Sequence, residues 1–274
     1  MRFADLHLHT HHSDGIRTPR EIVELAAKFQ LGIVAISDHD NLAAYDEAED
    51  VAEELSILLI PAVELSAAYL GVDVHILAYA FDSGDETIAS RLEEFRTARE
   101  TRGLRMVEKL RELGYPITVE RVQELCGDGA MGRPHVARAL VEAGVVDSID
   151  DAFRKLLKPG MAAFVPKARL EAEEAILMIH AAGGLLSVAH PTLYPEHEVI
   201  VQEMFEMGVD GVEAFHPKVD LEAQKYYTEL ARHQGKFVTG GSDDHGFDGR
   251  QAIGSIRVPE HEVRLIVERV EQSA

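Results

Sequence analysis

The chain has a single cysteine, Cys126, among 274 residues. That excludes an intrachain disulfide and every cysteine-rich zinc module, and it fits a reducing compartment. A lone thiol of this kind is read as buried and inert. No apolar run approaches the length of about 18 residues that a membrane span needs, so none is expected. The first residues, MRFADLH, enter a strand pattern without the hydrophobic region of a signal peptide, and a cytoplasmic protein is expected. Basic residues are scarce: 27 Lys and Arg stand against 48 Asp and Glu, a formal net charge of −21. Such a chain is not drawn to long duplex nucleic acid or to an anionic membrane. Short-period repeats and low-complexity tracts are also missing, and a 46% hydrophobic content suffices for a packed core.

The charge is unevenly placed. Residues 83–160 hold 13 basic against 14 acidic side chains, a net of −1, whereas the remainder holds 14 against 34, a net of −20. The same boundaries separate two kinds of pattern. Up to residue 82 strands and helices alternate: Phe3 to His9, then the helical PREIVELAAKFQ, the apolar GIVAISDH, the helical NLAAYDEAEDVAEEL and the strand SILLIPAVEL. VELSAAYL and VDVHILAYAF flank Gly71 as a hairpin would. From Ser83 to Gly160 the strand pattern vanishes, and helical periodicity with i,i+4 charge pairs replaces it. Alternation then resumes to a last strand, IGSIRV, and a last helix. The reading is a first part, 1–82, a helical insertion, 83–160, and a second part, 161–274. Repeated strand–helix units with fully apolar strands imply a parallel sheet, and their number favours barrel-like closure.

What is abundant is histidine near carboxylates, in clusters along apolar strand-like runs. DLHLHTHHSDG carries His7, His9 and Asp14, SDHD carries His39, PAVEL carries Glu64 and VDVHILAY carries His75. LLSVAHP adds His190, and GGSDDH adds Asp243 and His245. Imidazole nitrogen and carboxylate oxygen are the ligands of catalytic zinc, manganese and iron. Nine such groups are too many for one ion and suit two or three. His7 and His9 leave the same face of a strand about 7 Å apart. Glu64 has two oxygens with which to bridge ions, and Asp243 and His245 repeat the spacing of the first pair. Asp5, Asp38 and Asp40 flank ligand histidines and are expected to orient their imidazoles.

DLHLHT, SDHD, Glu64, VHILAY, AHP and GSDDH, in that order, resemble the motifs of the PHP (polymerase and histidinol phosphatase) family, across nearly the whole chain outside the helical stretch. The resemblance implies a distorted (β/α)7 TIM-like barrel with an all-helical insertion and a trinuclear site. It implies one ion on His7, His9, Glu64 and Asp243, a second on Glu64, His75 and His190, and a third on Asp14, His39 and His245. Manganese is favoured, with iron and zinc left open. Histidinol phosphatase members often have His where this chain has Asp14, so the SDG form is more similar to the nucleotide-phosphatase and polymerase-associated branches.

Arg133 and His135 lie in GRPHVARAL, after the Gly-rich CGDGAMG. A Gly-flanked Arg at a helix start can hold phosphate bidentately. GRPH in a helical insert resembles small phosphoesterases acting on nucleoside 3′,5′-bisphosphates, and related members degrade short RNA from the 5′ end. His216 in EAFHP and His12 beside the ligands are candidates for touching substrate or moving a proton, and Arg17 is a further phosphate candidate. Glu64 and Asp243 complete the catalytic set. The expected activity is removal of the 3′-phosphate of nucleoside 3′,5′-bisphosphates by attack of a metal-bound hydroxide. A 5′-3′ exoribonuclease on short oligonucleotides, a histidinol phosphate phosphatase, an amidohydrolase and a non-catalytic metal-binding module are the alternatives. The expected partner is a small phosphorylated molecule, a nucleotide or short oligonucleotide, because local metal charge outweighs a remote acidic surface that salt screens over about 8 Å.

Overall fold

The computed structural model describes residues 2–127, 131–166, 170–247 and 252–273. Strand β1 (Phe3–Leu8) leads through a turn to helix α1 (Pro19–Lys28), which opens on a capping box: Glu21 N–H donates to Thr18 Oγ1 and Thr18 N–H to Glu21 Oε2. Strand β2 (Ile33–Ile36), helix α2 (Ala43–Glu54) and the short strand β3 (Leu58–Ile60) follow. The run SILLIPAVEL, expected as one strand, divides at Pro61, which has no N–H for a ladder, and continues as β4 (Ala62–Tyr69). β5 (Val72–Tyr79) pairs antiparallel with β4 across the turn at Gly71, as the hairpin reading requires.

Among the described residues of 83–160 there is no strand. α3 (Glu86–Glu112) is capped by Asp85, whose side chain accepts from the Thr87 and Ile88 N–H groups, and it runs unbroken for 27 residues. α4 (Val119–Cys126), α5 (Arg133–Glu142) and the short α6 (Ile149–Ala152) complete this stretch, with a wide helical turn over Phe153–Leu157. Alternation resumes with β6 (Leu170–Glu171), α7 (Ala172–Ala181), β7 (Leu185–Val188), α8 (His197–Met207) and β8 (Gly211–Phe215). α9 (Leu221–His233), β9 (Phe237–Gly240), β10 (Val258–Pro259) and α10 (Arg264–Ser273) end the chain, so the strand expected over IGSIRV shrinks to its last residue plus Pro259.

The strands form two sheets, in the orders β10-β1-β2-β3 and β6-β4-β5-β7-β8-β9. The expectation of a parallel sheet holds in part: β1–β2, β2–β3, β4–β6, β7–β8 and β8–β9 are parallel, but beside the expected hairpin β4–β5 the pairs β5–β7 and β1–β10 are antiparallel too. A two-residue turn can return a chain only antiparallel, so the hairpin at Gly71 breaks the strand–helix repeat. Isolated bridges, Leu8 with Asp244 and His39 with Glu64, connect the two sheets at the site.

Apolar burial follows this layout. α1 and α2 cover the first sheet through Ile22, Val23, Ala26, Ala48 and Val51, and α7, α8 and α9 cover the second through Ile176, Met204 and Tyr227. A separate core joins α3, α4 and α5 through Met106, Leu110, Val122, Val136 and Leu140. α3 serves two cores, since Ile88, Leu92 and Phe95 at its start pack with the second sheet. No described helix is long and apolar enough to cross a membrane.

Candidate metal centre

Most of the nine predicted ligands arrive at the ends of strands that share one rim. His7 and His9 end β1, His39 follows β2, His190 follows β7, and Asp243 and His245 follow β9. Glu64 and His75 lie inside β4 and β5. They reach the same place because these two strands run in opposite directions, with Ser66 opposite His75 in the register. The backbone is bent sharply at two ligands, His190 (φ 28°) and Asp243 (φ 53°), a conformation that side-chain-bearing residues avoid unless their surroundings hold it.

Glu64 stands at the centre. Its Oε2 lies 3.3 Å from His7 Nε2, 3.3 Å from His9 Nε2 and 3.0 Å from His39 Nδ1. Its Oε1 lies 2.7 Å from His75 Nδ1 and 3.0 Å from His190 Nε2. Asp243 Oδ1 is 3.2 Å from His9 Nε2 and 3.6 Å from His7 Nε2, and Asp14 Oδ1 is 3.2 Å from His245 Nε2. Donor atoms of His9, Asp14, His39 and His245 lie within 4.8 Å of one another, as do those of His7, Glu64 and His190, of His7, His9 and Asp243, and of His39, Glu64 and His75.

These residues fit divalent ions on grounds internal to the structure. His7 Nε2, His9 Nε2, His39 Nδ1 and Glu64 Oε2 are buried, converge on one another, and make no hydrogen bond. Buried polar atoms are nearly always satisfied, and orphans facing a common point are what a cation between them would resolve. The electrostatics agree. Burial pushes the Glu64 carboxyl up, yet the neighbouring His39, His75 and His7 hold it well below the usual carboxylate range. Burial draws His75 down to about 4, keeping it a neutral ligand despite Glu64.

Ligand orientation comes from a residue that the sequence reading missed. Glu213 in β8 is fully buried, and its Oε1 lies 2.9 Å from His7 Nδ1 while its Oε2 accepts from His190 N–H at 2.6 Å. A carboxylate only accepts, so the His7 proton sits on Nδ1 and the Nε2 lone pair faces Glu64 and Asp243. The expectation for Asp5, Asp38 and Asp40 is corrected. Asp5 accepts from the Ser242 and Gly254 N–H groups, and Asp38 from Thr10 and Ser13. Asp40 accepts from Ser66 N–H and Arg99. They hold the loops that carry ligands, because backbone N–H groups at strand ends are left without ladder partners and lie nearer than the rings.

Beside the ligands opens a cavity of about 200 Å³. Its lining includes Asp14, His39 and His75 together with Arg99, Arg102 and Arg133, and also Phe95, Phe153 and Ser66. Arg133, the sequence candidate for phosphate, thus lines the cavity beside the clustered imidazoles. Arg99 and Arg102, on α3, were not singled out in the sequence, where they read as two more charges on a charged helix. Burial, then the neighbouring Arg133 and Arg99, pull Arg102 down to about 10.

The remaining candidates fall elsewhere. His135 is buried and turns its Nδ1 onto the Gly132 N–H at 3.1 Å, closing the start of α5 and not lining the cavity. Arg17 pairs with Asp244 at 2.5 Å and lies outside the cavity. His12 stands 2.8 Å from Glu47, away from the nine ligands. His216 is buried with its Nε2 3.4 Å from Asp243 Oδ2, at the edge of the ligand cluster. Asp128, Gly129 and Ala130 of the Gly-rich run lie outside the described residues.

A strand-rim cluster of imidazoles and carboxylates next to an arginine-lined cavity defines a metal-dependent phosphoester hydrolase. The PHP domain matches residues 5–157, more than half of the chain, and the protein belongs to the PHP family. It is 33% identical over 247 residues to the 5′-3′ exoribonuclease Rnm of Escherichia coli, covering 88% of this chain and 84% of that one. It is 29% identical over 250 residues to the 3′,5′-nucleoside bisphosphate phosphatase of Chromobacterium violaceum, covering 89% and 88%. Among solved structures, a predicted metal-dependent phosphoesterase from Bifidobacterium adolescentis superposes with a TM-score of 0.88 at 35% identity, covering 97% and 96%.

Proposed function

We propose that the protein removes the 3′-phosphate of nucleoside 3′,5′-bisphosphates. The supporting observation is the pairing, across one cavity, of the ligands Asp14, His39 and His75 with Arg99, Arg102 and Arg133. Such a cavity suits a small molecule carrying two phosphates, one at the ions and the other against the guanidinium groups. The similarity to the Chromobacterium violaceum phosphatase supports the same substrate. Three divalent ions, manganese first, are our reading of the nine ligands. When bound, they would neutralise phosphate charge and make water acidic enough to attack at neutral pH.

The chain's own contribution is placement. Glu64 offers an oxygen to each side of the cluster, Glu213 fixes the His7 tautomer, and Arg133 and Arg99 orient the distal phosphate. His216, whose Nε2 lies 3.4 Å from Asp243 Oδ2, is the candidate for handing a proton to the leaving oxygen. Residues 83–160 form the cap that selects substrate, set between 1–82 and 161–274. We read the two sheets as parts of a distorted (β/α)7 barrel, in which β3 and β4 would count as one kinked strand; the isolated bridges between the sheets support this reading.

The test is phosphate release with Mn²⁺ from a nucleoside 3′,5′-bisphosphate and from the matching 3′-monophosphate. Loss of a charge-assisted hydrogen bond is worth about 1.5–3 kcal/mol, so Arg133→Ala is expected to raise KM about 10–100-fold for the bisphosphate and far less for the monophosphate. Equal turnover of both by the unaltered enzyme would overturn the reading. The similarity to Rnm favours a second activity, on 5′-phosphorylated oligonucleotides, with the same groups. A 5′-phosphorylated pentamer assayed in parallel separates the two.

A further inference from the structure

We propose a separate transition-metal site on the outer side of the Thr10–Asp14 turn, built from His11, His12 and Glu47 and taking one Zn²⁺ or a similar borderline ion. Donor atoms of the three residues lie within 4.8 Å of one another, and none of them belongs to the nine-ligand cluster. His12 is only 8% exposed. Its Nε2 stands 2.8 Å from Glu47 Oε1 but makes no hydrogen bond. A buried imidazole nitrogen left in that state is costly, and an ion held between it and the carboxylate would satisfy both.

His11 is prepared in the same sense. Its Nδ1 lies 3.3 Å from the Arg17 carbonyl oxygen, which only accepts. The proton therefore sits on Nδ1, and Nε2 keeps its lone pair. The two rings lie 4.3 Å apart and 32° from parallel, close enough to share one ion. Glu47, on α2, has a side chain 51% exposed and gives the ion a route from solvent. Two imidazoles, one carboxylate and a water make a tetrahedral set that favours Zn²⁺, Co²⁺ or Ni²⁺ over Mg²⁺.

The location gives the site a consequence. Asn41 Nδ2 already donates to the His12 carbonyl at 2.8 Å. An ion on His11, His12 and Glu47 would fasten the same turn to α2 a second time. Asp14, at the end of that turn, is a ligand of the catalytic cluster. Surplus zinc would thus stiffen the segment carrying Asp14 without displacing the catalytic ions.

The experiment uses protein loaded with Mn²⁺, exposed to a small excess of Zn²⁺ and desalted. Zinc and manganese per chain are then counted for the unaltered protein, Glu47→Gln and His11→Gln. The unaltered protein is expected to keep about one zinc more than either variant at equal manganese, and zinc is expected to raise its Tm but not theirs. Equal zinc retention in all three proteins, or zinc gained only where manganese is lost, would overturn the site. Equal Tm values without zinc establish that the variants are folded.

Discussion

Glu213 makes plain what a single buried carboxylate can organise. It touches the His7 ring with one oxygen and the His190 backbone with the other. Glu213→Gln keeps the volume but removes the charge and sets an amide donor against the His190 N–H. Removing such an outer partner typically weakens metal binding about 10–100-fold, and a chelator titration followed by metal analysis should show it. The clustered histidines and carboxylates were legible in the sequence because motifs such as HLH and SDD place them locally, and the structure brings them together. Glu213 was not, since GVEAF carries no motif. Its one signal is a charge inside an otherwise apolar, buried strand, which demands a partner. Cys126 bears out the lone-thiol reading: it is buried, and burial pushes it up to about 11. A disulfide reagent at pH 8 should therefore modify it slowly in the native protein and rapidly in denaturant; fast native labelling would refute this.

At the scale of elements, α3 is the member on which the cavity depends. Its first turns pack with the second sheet and its later turns with α4 and α5, and between them it presents Arg99 and Arg102. Gly103 sits at that crossing. A Cβ there would lie 2.5 Å from Met131 Cγ and 2.7 Å from the Met131 carbonyl oxygen. The side chain could swing aside but the carbonyl could not, so Gly103→Ala should destabilise by about 1–3 kcal/mol in denaturant unfolding, although alanine favours helix. An unchanged midpoint would mean that the contact relaxes freely. Periodicity alone marked 83–160 as helical, because the apolar faces of such helices repeat within one segment. Sheet direction was less legible. Whether β5 meets β7 parallel or antiparallel is decided by connections between distant segments, and nothing in VDVHILAY or LLSV records it.

For the whole molecule, charge and metal set the expectations. Removing ions from the cluster leaves His7 Nε2, His9 Nε2, His39 Nδ1 and Glu64 Oε2 buried without a hydrogen-bond partner. Chelation should therefore lower Tm and Mn²⁺ should restore it, with about 2.7 kcal/mol gained at metal a hundredfold above its Kd. A Glu64→Ala protein should respond little. The net charge of −21 bears on substrate length. Each phosphate beyond those held in the cavity meets an acidic exterior, so kcat/KM should fall as oligonucleotides lengthen, steeply at low salt and gently once salt screens the surface. A rate that rises with length at low salt would contradict this.

The clustered imidazoles and carboxylates come from strands and the segments that follow them, while the three guanidinium groups come from α3 and α5. On the proposed function, reaction chemistry and choice of reactant would be written in separate stretches of polypeptide, which meet around one cavity and touch where Arg99 reaches Asp40 and Ser66. A differently furnished helical stretch that kept the Arg99–Asp40 pair would be expected to redirect the enzyme to a new phosphate ester.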